Sequence, residues 1–224
     1  LQAGLHAEQE RVRQVTIQEA GVPVALTHSI WLDTILDSVS YWADLATNFP
    51  YQTELAARQT LAGVTSVRTV VRDPVGVVAA ITPFNHPLNQ VAHKLAPAIA
   101  AGVPVLLKPS SKTPLVAIRL TELLYEAGLP PAMLSTFVGD RKTITEALVR
   151  DPRVDLVTFT GGTGPGKHLT TIAGYKKLCL ELGGNAPLIV LRDADLDLAA
   201  TLATEGSFRN SGQRCTAVKR IIVE

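Results

Sequence analysis

The 224-residue chain, 46% apolar and 18% charged, can bury a substantial core and reads as globular, either one large domain or one domain with part of another. A net charge of +1 gives no broad electrostatic pull toward nucleic acid or an acidic membrane, and no apolar run approaches the roughly 20 residues of a membrane span. Two cysteines supply neither a disulfide framework nor a metal-ligand spacing, so no metal and a reducing, cytoplasmic compartment are expected.

In chain order, Leu5 to Glu19 is charged and helix-compatible, and Gly21-Val22-Pro23 breaks it. Leu26 to Leu45 carries Ile30, Trp31, Ile35, Leu36, Val39, Trp42 and Leu45 at helical spacing, the pattern of an amphipathic helix. Pro50 and polar residues follow. From Val75 the grammar alternates. Strands are predicted at Val75–Pro83, Val103–Leu107, Leu134–Val138, Val154–Phe159 and Lys177–Leu182. Helices are predicted at Leu88–Ala101, Leu115–Ala127, Thr143–Val149 and from about Gly166. A helix-like run, Leu196 to Phe208, and a strand-like run, Val218 to Val223, close the chain. Short apolar strands separated by helices imply an α/β, Rossmann-like doubly wound parallel sheet, because each parallel crossover needs a helix. Leu1-Gln2-Ala3-Gly4 has no signal-peptide character, and Glu224 ends inside a β-like run, so both ends are expected to be cut.

Ligands of such sheets bind beyond the C-terminal ends of the strands, here Thr82 to His86, Lys108 to Ser111, Gly139-Asp140, Thr160 to Gly166, and Glu181. The glycine loop Phe159-Thr160-Gly161-Gly162-Thr163-Gly164-Pro165-Gly166-Lys167-His168 suits an anion such as pyrophosphate at a helix N-terminus. A tight turn is the plainer reading. The P-loop pattern of a phosphotransferase fails because His168 stands where magnesium needs Ser or Thr, and Lys167 breaks the G-x-G-x-x-G fingerprint. Lys108-Pro109-Ser110-Ser111 adds a cation and hydroxyls that suit a ribose or its phosphate. Asn85, between Pro83 and Pro87, is either an oxyanion donor or part of an Asx-type turn. Glu181, among apolar residues, is a general base if burial raises its pKa, with a ribose contact or a structural ion pair as alternatives. Cys215 follows Arg214 in a polar, glycine-containing loop; it is either a cation-tuned nucleophile or a small core residue.

Together these segments resemble the aldehyde dehydrogenase superfamily. Thr82-Pro83-Phe84-Asn85-His86-Pro87 looks like its proline-aromatic-Asn segment, Lys108-Pro109-Ser110 like its cofactor lysine motif, and Phe159-Thr160-Gly161-Gly162-Thr163 with Gly166 like its glycine loop. Glu181-Leu182-Gly183-Gly184 is similar to the general-base motif, and Phe208-Arg209-Asn210-Ser211-Gly212-Gln213-Arg214-Cys215-Thr216 to the nucleophile motif. The resemblance implies NAD or NADP as cofactor and a small-molecule aldehyde as substrate, oxidised through a thiohemiacetal and a thioester on Cys215. Asn85 would hold the oxyanion and Glu181 would activate water. Cofactor contacts are implied for Thr82, Pro83, Lys108, Ser110, Ser111, Gly139, Thr160, Gly161, Gly162, Thr163, Gly166, Glu181, Leu182 and Gly183, and substrate contacts for Asn85, His86, Arg214 and Thr216.

Two departures bear on specificity. Ser111 stands where the family usually has the glutamate that contacts the adenosine ribose diol, which removes a charge that would repel a 2′-phosphate. Arg214 and His86 resemble the branch that oxidises anionic aldehydes, including phosphonoacetaldehyde and glyceraldehyde-3-phosphate dehydrogenases, although the predicted helix from His28 to Leu45 lacks that branch's arginine. Family members are about twice this long, so residues 1–181 are expected to be a cofactor domain lacking its first strands, and 182–224 the opening of a catalytic domain. The resemblance further implies a homodimer or homotetramer for the whole protein. A catalytically silent nucleotide-binding fragment is the competing reading; a CoA-acylating enzyme is a third, disfavoured by Glu181.

Overall fold

The computed structural model describes residues 1–29 and 33–224. Four helices come first: α1 (Gln2–Ala7), α2 (Gln9–Ala20), α3 (Val24–Ser29) and α4 (Asp33–Asn48). The helix expected over 5–19 is two, because Glu8 leaves helical geometry at φ −109° and ψ 14°. Ile30 and Trp31 of the predicted amphipathic helix lie outside the described residues; Ile35 and Leu36 are buried as its spacing requires.

An antiparallel hairpin that the sequence reading passed over follows, β1 (Gln52–Gln59) with β2 (Thr65–Val71). Its side chains are almost all exposed, so no alternation of apolar and polar residues marks it. The parallel sheet then alternates as expected. Its elements are β3 (Val77–Ile81), α5 (Pro87–Ala100), β4 (Val105–Lys108), α6 (Pro114–Glu126), β5 (Leu134–Thr136), α7 (Arg141–Arg150), β6 (Val154–Thr160), α8 (Thr163–Ile172) and β7 (Lys177–Glu181). A third strand missing from the sequence reading, β8 (Ala186–Val190), pairs in parallel with β9 (Val218–Val223) across helix α9 (Leu196–Phe208). Pro187 inside the short run obscures it.

The five-stranded sheet runs β5-β4-β3-β6-β7, every pair parallel, with the chain reversing direction about β3. Period two assigns the faces. Val78 and Ala80 of β3 join Val105 and Leu107 of β4 in the larger core, under α5, α6 and the N-terminal helices. Ala79 and Ile81 face the other way and meet Val157, Phe159, Val149 and Leu169. Burial of a leucine-sized side chain contributes roughly 1.5–3 kcal/mol, so these two layers account for most of the drive to fold.

Polar contacts seat the first helices. Arg119 on α6 pairs with Glu8, Glu122 and Glu126, and the Glu19 carboxylate accepts the backbone N–H of Leu115 and Val116 at 2.8 and 3.2 Å. That carboxylate caps the open N-terminus of α6, where negative charge is favoured.

Candidate active site

Because the sheet is parallel, its strand ends gather on one edge, and the order reverses between β3 and β6. The crevice beyond such a reversal is the expected ligand position. Register places Lys108 beside Ile81, and Thr160 beside Glu181. Backbone bonds extend the ladder past the strands, from Thr82 N–H to the Lys108 carbonyl at 3.2 Å and from Gly161 N–H to the Glu181 carbonyl at 3.0 Å.

On the cofactor side, Lys108 is 2% exposed, and among the described residues its Nζ has only a long 3.4 Å contact to the Pro109 carbonyl. Burial pushes its pKa down, nearby Arg141 pushes the same way, and Asp140 partly offsets both. Ser110 Oγ accepts the Lys112 N–H at 3.2 Å. Ser111 Oγ donates to the Gly139 carbonyl at 2.9 Å, tying the turns after β4 and β5 together. The Thr82 hydroxyl is buried without a partner among the described residues. Pro83 and Phe84 continue the turn, and Lys112 lies 4.9 Å from the Phe84 ring centre.

Helix α8 begins at Thr163, three residues earlier than the sequence suggested, with Gly162 as its N-cap. Proline is tolerated in a first helical turn, where its missing N–H has no intrahelical partner, so Pro165 does not delay the start. A Cβ on Gly166 would collide with the Leu182 side chain, which would have to shift to admit it. A Cβ on Gly183 would come within 3.1 Å of Thr163 Oγ1. The glycine loop and the segment after β7 are thus pressed together. An orphaned hydroxyl, a buried ammonium and an open helix N-terminus fit a nucleotide cofactor with phosphates.

On the reaction side, the Asn85 side-chain Nδ2 donates to the Gln213 carbonyl at 2.7 Å, and Asn210 Nδ2 donates to the Asn85 carbonyl at 3.2 Å. Gly184, three residues after Glu181, packs so tightly under the nucleophile loop that a Cβ would strike the Cys215 carbonyl oxygen. The segments after β3, after β7 and before β9 therefore converge. Cys215 and Thr216 are exposed in the turn before β9.

The expected burial of Glu181 does not hold. Leu178 and Leu180 turn into the core, and the two-residue period leaves Lys177, Cys179 and Glu181 exposed on the edge strand. Arg214 is half-buried, and its Nη2 donates to the Gly206 carbonyl at 2.8 Å and, more weakly, to that of Glu205 at 3.4 Å, capping the end of α9. His86 is held below its ordinary pKa by burial first, then by the positive charges of Arg214 and Arg209. His168 pairs with Glu146 at 3.3 Å.

Two residues escaped the site reading. Asn210 lay within the quoted motif without a role. Lys94, on α5 between the core residues Val91 and Leu95, is buried with Nζ donating to Thr158 Oγ1 at 2.8 Å. Burial lowers its pKa to about 8, and Cys179 and Glu181 partly offset that. A lysine at core spacing in an Ala-rich helix was its legible signal. Among the described residues no group of three or more His, Cys, Asp or Glu could hold a metal ion, and no helix is long and apolar enough to cross a membrane.

A doubly wound sheet with cysteine, asparagine and glutamate segments converging at its strand ends defines a class of cysteine-bearing α/β proteins. The aldehyde dehydrogenase family model matches residues 1–224, and the chain belongs to that family. It is 51% identical over 153 residues to a 3-sulfolactaldehyde dehydrogenase of Priestia aryabhattai, a match covering 68% of this chain and 32% of that protein. Among solved structures, the NADP-dependent glyceraldehyde-3-phosphate dehydrogenase of Bacillus halodurans C-125, complexed with NADP, is 36% identical with TM-score 0.92, over 100% of this chain and 47% of that one. An aldehyde dehydrogenase of Pseudomonas syringae in complex with NAD+ and octanal is 32% identical with TM-score 0.89, over 99% and 44%. The chain spans about a third of the curated relative's length and under half of the solved chains.

Proposed function

We propose that this chain carries the cofactor-binding half and the nucleophile of an enzyme that oxidises an aldehyde to a carboxylic acid with NAD or NADP. The observation that carries the reading is the 2.7 Å bond from Asn85 to the Gln213 carbonyl, which joins a side-chain amide donor to the loop bearing Cys215. The Cys215 thiolate adds to the aldehyde carbon. The remaining Asn85 N–H and the Cys215 backbone N–H hold the oxyanion. Bound NAD(P) supplies the hydride acceptor. Loss of hydride leaves a thioester on Cys215, and the Glu181 carboxylate, exposed rather than buried and acting from its place at the strand end, takes a proton from the water that hydrolyses it. Residues 1–181 form the cofactor unit of this proposal, and 182–224 open the catalytic unit.

Thr82, Lys108 and the α8 N-terminus would hold the cofactor's ribose and phosphates. With Ser111 in place of a carboxylate, and Arg141 close enough to Lys108 to lower its pKa, NADP is accommodated as well as NAD. On substrate, the relatives named for 3-sulfolactaldehyde and glyceraldehyde-3-phosphate favour an anionic aldehyde, whereas the octanal complex shows a neutral aldehyde in a relative. The positive field that Arg214 and Arg209 exert on His86 supports the anionic choice, with His86 and Thr216 as contacts and Arg214 acting through its charge.

In the protein containing these residues, Cys215→Ala abolishes aldehyde oxidation and leaves NAD(P) binding intact. Glu181→Gln gives a burst of NAD(P)H followed by slow turnover. Retained turnover in Cys215→Ala refutes the assignment. The kcat/KM for glyceraldehyde 3-phosphate should exceed that for a neutral aldehyde, and equal values reject the anionic substrate. Assembly of the whole protein as a homodimer or homotetramer is part of the same proposal, and light scattering on it measures the mass. The coverage below one half favours a second reading for the 224-residue chain by itself, cofactor binding without turnover; measured turnover on any aldehyde overturns it.

A further inference from the structure

The two described non-glycine residues with positive φ are neighbours, Asn210 at φ 54° and Ser211 at φ 55°, and Gly212 follows at φ 68°. Left-handed geometry disfavours side chains, with Asn among the few that tolerate it, and such conformations persist where surrounding contacts enforce them. Here the contact is visible. Asn210 is 8% exposed, and its amide reaches across 125 positions of sequence to the Asn85 backbone carbonyl. Asn85 answers with its own amide to Gln213, two residues before Cys215. An amide nitrogen carries two N–H groups, so one holds the loop and one stays available for an oxyanion.

We infer that Asn210 is a positioning residue: its buried amide, presented by the left-handed kink, fixes the Asn85 peptide and so sets where the oxyanion donor stands relative to Cys215. The inference rests on the proposed nucleophile and oxyanion roles. The chemistry requires both features of this residue. Glycine would keep the backbone and lose the donor, while aspartate would keep the shape but set a carboxylate oxygen against the Asn85 carbonyl. Neither substitution touches the reacting atoms.

Thiohemiacetal formation reads the hold of the Asn85 donor on the former carbonyl oxygen without cofactor: the sulfur–carbon bond forms, the carbonyl π bond opens, and the thiol proton ends on that oxygen, which still accepts a hydrogen bond from the amide. It is read in the protein containing these residues as protection of Cys215 from iodoacetamide by glyceraldehyde 3-phosphate or propanal, with Cys179 as internal reference. Asn85→Ala, Asn210→Gly and Asn210→Asp should each weaken protection by about tenfold, scored against each variant's own Cys215-to-Cys179 alkylation ratio without aldehyde. The decisive value is the double variant. If Asn210 acts through Asn85, Asn85→Ala with Asn210→Gly protects no worse than Asn85→Ala alone. Multiplying losses, or full protection in both Asn210 variants, overturn the inference and leave the proposed function standing. If neither aldehyde protects Cys215 in the parent protein containing these residues, the nucleophile reading itself falls, and the inference with it.

Discussion

Lys94 is the residue whose charge state the fold alters most usefully for measurement. Its pKa of about 8 lies below the 10.4 or so of an unfolded lysine, so between these values the unfolded chain binds a proton that the folded chain does not. Stability therefore rises with pH across this window, and the penalty for burying the charge is fully present below pH 8. Relative to Lys94→Met, the wild-type unfolding free energy should gain about 2 kcal/mol between pH 7 and 9.5, measured by urea denaturation. Equal slopes for the two proteins contradict the assignment. Cys215, Asn85 and Glu181 were legible as residue types set in recognisable segments. Their relations were not, because the Asn85–Gln213 bond links positions 128 apart.

At the scale of elements, the glycines after β7 decide how closely the cofactor and nucleophile segments approach. Gly166 accommodates Leu182, and Gly184 accommodates the carbonyl of Cys215. The second contact is with backbone, which cannot rotate away as a side chain can. Gly184→Ala should therefore displace the Cys215 loop, costing roughly 1–3 kcal/mol in thermal or chemical unfolding and slowing Cys215 alkylation relative to Cys179. An unchanged reactivity ratio rejects that contact as a constraint on the loop. The alternating strands β3 to β7 were readable because each is short, apolar and closed by a turn. The hairpin β1–β2 was not, since its side chains stay exposed and leave no period to detect. The start of α8 was misplaced for a different reason: Gly164 and Pro165 read as loop residues, yet both fit a first helical turn.

Across the whole molecule, the two core layers bury the faces of the five-stranded sheet, whereas the last elements lie bare. Leu196, Leu198, Leu202 and Phe208 on α9 and Ile221, Ile222 and Val223 on β9 are all exposed. Exposed apolar side chains in this number promote association. The 224-residue chain should bind the hydrophobic dye ANS and self-associate with concentration in light scattering, and Leu198→Glu with Leu202→Glu should reduce both. A monomer that leaves the dye dark contradicts the prediction. Exposure of Glu181 belongs to this scale too, since it follows from β7 being the edge of the sheet.

By itself, the sequence determined the alternating α/β class, the order of the strand-end segments and the residue types able to do nucleophile, base and oxyanion chemistry. These depend on local periodicity, on turn residues and on side-chain functional groups, all written in consecutive positions. Tertiary structure alone decided that Glu181 is exposed, that Arg214 caps α9, that Lys94 is buried beside Thr158, and that Asn210 holds the Asn85 carbonyl while Asn85 holds that of Gln213. Those outcomes depend on which distant segments meet at the edge of a parallel sheet. No local pattern carries that information.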